Sequence, residues 1–92
     1  MELQAAINRY LEVAGEFGRP MRIADFGLPR EEVESLLAAW EEDYQLHRHF
    51  RLIPAERTTP GLVADDAYPV QGIFYTAIVF QKSILDVLQY GR

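Results

Sequence analysis

The chain has no cysteine and a single lysine, Lys82, among its 92 residues. The missing thiols exclude disulfides, thiolate nucleophiles and Cys-containing zinc sites. With one lysine, Schiff-base chemistry has only one amine to use, and phosphate neutralisation rests almost entirely on arginine. Histidines number two, His47 and His49, short of a metal site built on imidazole alone. No serine sits in a nucleophile-elbow or lysine-paired context, and no glycine-rich phosphate loop is present. Adjacent acids occur at Glu31-Glu32, Glu41-Glu42 and Asp65-Asp66, a pattern that on helices and loops forms a solvated face. The expectation is a protein without catalysis, cofactor or metal. Long apolar runs are lacking too. The longest stretch free of charge and proline, Val70 to Gln81, is about half of what a spanning helix needs. No basic segment followed by an apolar one opens the sequence, so a cytoplasmic location off the membrane is expected.

What is present is ordinary globular composition, 49% apolar and 25% charged, in a length that suits one domain over residues 1–92. Leu3, Ile7, Tyr10, Ala14 and Phe17 recur at helical spacing, with acids and amides on the other face, which predicts a helix from about Glu2 to Phe17. Gly15, Gly18 and Pro20 supply its stop. Residues 20–27 read as a short second helix, with Pro20 at its first position and Gly27 just past its end. Pro29, then Glu31 and Glu32 in the first turn, open a third helix from about Pro29 to Asp43, with Val33, Leu36, Leu37 and Trp40 on its buried face.

The period then changes. Tyr44, Leu46, Phe50 and Leu52 alternate with Gln45, His47, His49 and Arg51, the pattern of a half-buried strand from Tyr44 to Ile53, with Arg48 reaching water at an edge. Residues 54–69 hold Pro54, Pro60, Pro69 and Gly61 and read as a long loop. A second strand follows from Val70 to Phe80. Both of its faces are apolar, so each must be covered. Ser83 to Asp86 fits a capping pattern for a short helix running toward Gly91, and the face formed by Phe80, Ile84, Val87 and Leu88 leaves open a start near Ala77.

Three helices followed by a two-stranded antiparallel hairpin, in the order found here, resemble a winged helix-turn-helix domain. The string Arg22-Ile-Ala-Asp-Phe-Gly-Leu-Pro-Arg-Glu-Glu-Val33, followed by Leu36, Leu37 and Glu41-Glu-Asp-Tyr44, is similar to the turn and third helix of that superfamily. The resemblance implies an α+β, winged-helix-like fold in which the Tyr44–Ile53 strand is the first side of the wing. It also implies a third helix that enters the major groove of DNA.

Charge argues against that last implication. The net charge is −5, and residues 21–43 carry seven acids against Arg22 and Arg30. A helix face of that sign is repelled by phosphates. Positive charge lies instead at Arg48, Arg51 and Arg57, opposed by Glu56 alone between residues 44 and 57. A DNA-binding regulator that touches the duplex through these three arginines is therefore the alternative reading. His47 and His49, two apart on one strand face, would need a third ligand to hold a metal, and Arg51 on that face would oppose a cation.

The preferred reading is a non-catalytic protein-interaction module that forms a homodimer. Tyr68, Phe74, Tyr75, Phe80 and Tyr90 crowd the last quarter of the chain. Phe74 or Phe80 is read as completing the intramolecular core. The remaining apolar surface would be large for a monomer, and Ile73, Tyr75, Val79, Ile84 and Leu88 are its candidate dimer contacts.

Overall fold

A computed structural model describes residues 1–55 and 67–90. Arg57 and most of the expected 54–69 loop lie outside these residues. The elements are α1 (Leu3–Ala14), β1 (Met21–Arg22), a 3-10 turn (Ile23–Phe26), α2 (Arg30–Glu42), a second 3-10 turn (His47–His49), β2 (Phe50–Pro54), β3 (Tyr68–Val70), β4 (Ile73–Phe80) and α3 (Ile84–Tyr90). The protein is α+β, with helices packed on one antiparallel sheet. No helix among the described residues is long and apolar enough to cross a membrane.

The two long helices form where their periodicity places them. Ala6, Ile7, Tyr10 and Ala14 line the buried face of α1. The helix ends three residues before Phe17 because Gly15 turns left-handed at φ 88°, its N–H donating to the Leu11 carbonyl at 2.9 Å. Phe17 still reaches the core, its ring 6.1 Å from that of Tyr10. On α2 the buried face is Val33, Leu37 and Trp40, with Glu31 and Glu32 in the first turn, where the helix dipole favours acids. Pro29 sits at the N-cap, one place earlier than expected, and its carbonyl accepts the Val33 N–H at 3.1 Å.

Residues 20–27 are not a second α-helix. Gly18 donates its N–H to the Phe80 carbonyl at 2.9 Å, which brings the chain alongside β4. Met21 and Arg22 then pair with Ile78 and Ala77 as β1. Only Ile23–Phe26 remain to coil, as one 3-10 turn closed by Gly27 at φ 72°. Tertiary pairing here overrides a weak local preference for helix.

The expected strand from Tyr44 is also shorter. One carboxylate oxygen of Asp43, Oδ1, accepts the N–H groups of Gln45 (2.9 Å) and Leu46 (3.0 Å), an Asx turn that reverses the chain after α2. The 3-10 turn over His47–His49 follows, and extended backbone begins only at Phe50. In β2, Phe50 and Leu52 point into the core while Arg51 is exposed.

The single strand expected over Val70–Phe80 is a hairpin, and the two-stranded sheet is a four-stranded one. Gln71 and Gly72 both have positive φ, 52° and 86°, the backbone of a type I′ turn that suits the twist of tight hairpins. β3 therefore folds back on β4, Tyr68 opposite Tyr75 and Val70 opposite Ile73. β2 pairs along the other edge, from Phe50 opposite Phe80 to Pro54 opposite Tyr75. β1 and β3 thus share one edge of β4, and β2 takes the other. Strand pairing continues through Phe80, so α3 starts at Ile84 and not near Ala77.

One core joins these layers. Phe80, fully buried, meets Tyr10 of α1 (ring centroids 5.1 Å apart), Trp40 of α2 (5.8 Å) and Phe50 of β2 (6.1 Å). The Tyr10 hydroxyl, inside the core, donates to the Arg19 carbonyl. No described buried side-chain nitrogen or oxygen lacks a partner, as native interiors require.

Candidate interaction surfaces

The exposed face of α2 is acidic, as the charge count anticipates, and its one cation is occupied. Arg30 pairs with Glu34 at 3.0 Å, one helical turn on, and donates to the Ala67 carbonyl. Its guanidinium also lies 4.8 Å from the centre of the Tyr68 ring, a cation–π distance. The residue that a groove-reading helix would direct at phosphate instead latches α2 to β3. Glu31, Glu41 and Glu42 have no ion-pair partner among the described residues.

Arg48 and Arg51 are both exposed, and neither forms an ion pair among the described residues. Arg48 rides on the 3-10 turn and Arg51 on the edge strand β2. The third arginine assigned to the wing, Arg57, lies outside the described residues. The two histidines do not share a strand face. At three residues per turn, positions two apart on a 3-10 turn diverge by roughly 120°. His49 is half-buried and its Nδ1 is 2.8 Å from the Ser83 hydroxyl, which ties the turn after α2 to the start of α3. The Gln81 N–H donates to the His49 carbonyl at 3.0 Å and makes a second tie. His47 is exposed, its ring 6.2 Å from that of Tyr44. No group of three or more His, Asp or Glu gathers as metal donors among the described residues.

The five apolar residues read as dimer contacts occupy different depths. Ile84 is fully enclosed in the chain's own core, and Val79 is buried as well. Tyr75 and Leu88 are half-buried against that core, and Ile73 is 50% exposed. Burial increases along β4: Ile73 and Phe74 are exposed, residues 75–77 are half-covered, and Ile78, Val79 and Phe80 are buried. The core takes Phe80 but leaves Phe74 outside it. Phe74 is 54% exposed beside Ile73, where the hairpin turns. The signal for this was Gln71-Gly72 between two β-branched residues, a hairpin pattern.

Tyr44 is the other apolar side chain that sequence placed inside and the fold leaves outside. At 79% it is the most exposed large hydrophobic residue described. Beside this turn lies a cleft of ≈ 450 Å³ between the start of α1, the turn after α2, and α3. Its apolar lining comes from Leu3, Leu46, Val87 and Leu88, and Glu2 and Asp43 stand on it as acids. Glu2 precedes α1 without capping it through its side chain. Asp43 is held in place through Oδ1, and its other oxygen has no hydrogen-bond partner among the described residues. No family model matches this chain, and neither a curated protein nor a solved structure is found to match it.

Proposed function

We propose that this chain is a non-catalytic protein-interaction module of winged-helix-like fold that works as a homodimer. The order of elements supports the fold: helix, strand, helical turn, helix, then strands that close the sheet, with β1 and β2 flanking β4. In this reading the Ile23–Phe26 turn takes the place of the second helix, and α2 that of the third. The function rests on one observation above all. Ile73 and Phe74 stand half exposed and adjacent at a hairpin tip, while the buried polar groups described are all satisfied. Apolar side chains displayed at a hairpin tip are suited to burial against another protein. With Leu88, they leave part of the 70–90 surface open to a second copy.

Light scattering on a size-exclusion column tests this: twice the 10.6 kDa chain mass is expected at high micromolar concentration. A monomer throughout that range would overturn it. The alternative, DNA binding through the wing, is favoured by the exposure of Arg48 and Arg51, neither of which forms an ion pair among the described residues. It predicts duplex binding at low salt that weakens steeply as salt is added. The module reading predicts no such binding.

A further inference from the structure

We propose that the cleft between α1, the Asp43–Leu46 turn and α3 receives the Tyr44–Arg48 turn of a second copy of this chain. The proposal rests on the homodimer reading above and gives that dimer a contact. Tyr44 is an exposed aromatic residue whose ring rests near His47, and Arg48 is an exposed cation without an ion pair among the described residues. The cleft offers the complement: a mixed lining in which Leu3, Val87 and Leu88 stand beside Gln4 and two carboxylates, Glu2 and Asp43, with no ion pair among the described residues. Arg48 of one copy meets Glu2 of the other, Asp43 being engaged by its own turn, and Tyr44 seats beside Val87 and Leu88.

Position along the chain makes the contact self-complementary. Asp43 and Leu46 line the cleft, while Tyr44 lies between them in sequence and His47 and Arg48 follow directly. Donor and acceptor surfaces are therefore neighbours. A two-fold axis beside this turn lets both insertions form at once and closes the assembly at two copies. Tyrosine suits such a role because it covers much area with few rotatable bonds. Two tyrosines seated on clefts this small supply only a minor part of the ~1,200 Å² of a stable interface, so the dimer is weak and salt-sensitive.

The experiment is sedimentation equilibrium on the full chain, as wild type, Tyr44→Ser, Arg48→Glu, Phe74→Asp and the double variant Arg48→Glu/Glu2→Arg. Circular dichroism checks each fold. Tyr44→Ser and Arg48→Glu are expected to weaken dimerisation by about tenfold or more. The double variant, with the charge pair reversed across the interface, recovers most of that loss. A wild-type monomer would overturn both this contact and the homodimer reading. A wild-type dimer weakened by Phe74→Asp yet indifferent to Tyr44→Ser and Arg48→Glu would keep the homodimer and remove the contact. Failure of the reversed pair to recover affinity would also overturn the contact.

Discussion

Replacing Phe80 by leucine should be among the costliest single conservative changes in β4, and Phe74→Leu in the same strand among the mildest. Phe80 is fully buried and its ring meets Tyr10, Trp40 and Phe50 at 5.1, 5.8 and 6.1 Å. Each aromatic pair contributes about 0.5–1.5 kcal/mol beyond area burial. The three share one ring, so their sum is an upper bound. With the smaller volume of leucine leaving space behind, the expected loss is about 2–3 kcal/mol. Against the roughly 5–14 kcal/mol available to a domain of this length, that is a large fraction. Phe74, 54% exposed and free of any aromatic contact among the described residues, should lose no more than about 0.5 kcal/mol. Urea unfolding followed through Trp40, at two protein concentrations to separate association from folding, measures both. A Phe80→Leu loss under about 0.5 kcal/mol, or equal losses at the two positions, would refute the burial gradient along β4.

Other changes probe the turns and ties. Gln71 holds φ 52° in the hairpin, so Gln71→Asn should raise stability by a few tenths of a kcal/mol. Gly72→Ala, at φ 86°, should lower it by about 1–2 kcal/mol even though the space around it is open, both changes being read by thermal unfolding. A reversed order between the two would contradict the turn geometry. Ser83→Ala removes the hydroxyl at 2.8 Å from His49 and should cost about 1 kcal/mol by chemical denaturation. An unchanged midpoint would mean that this bond contributes nothing net.

Local pattern announced the long helices because their apolar stripes are set by helical spacing and their ends by Gly15 and Pro29. It misled where a partner distant in sequence decides the outcome. Two residues make β1, and only their pairing with Ile78 and Ala77 defines it. Residues 44–49 alternate like a strand, yet one carboxylate oxygen of Asp43, bonded to two backbone N–H groups, curls them into turns. That curl exposes Tyr44, separates the two histidines, and moves Leu46 toward α1 and α3. Ile84 looked available because its helix is apolar on several sides, but it fills the chain's own core. The cleft was not legible at all, since its lining comes from three segments far apart in sequence. The acidity of α2 and the exposure of Arg48 and Arg51 were legible, because charge at the surface depends on composition more than on packing.

Every described strand pairs with β4 and with no other strand. On a ribosome, which emits the chain from its N-terminus, β1, β2 and β3 therefore all wait for residues 73–80 before any sheet can exist. Tyr10 and Trp40 wait as well, because Phe80 is the ring that both of them meet. Until then the segments of α1 and α2, 12 and 13 residues long, lack the sheet that covers their apolar faces and are marginal as helices on their own. The sheet and the core around Phe80 then form together, once residues 73–80 are available to both.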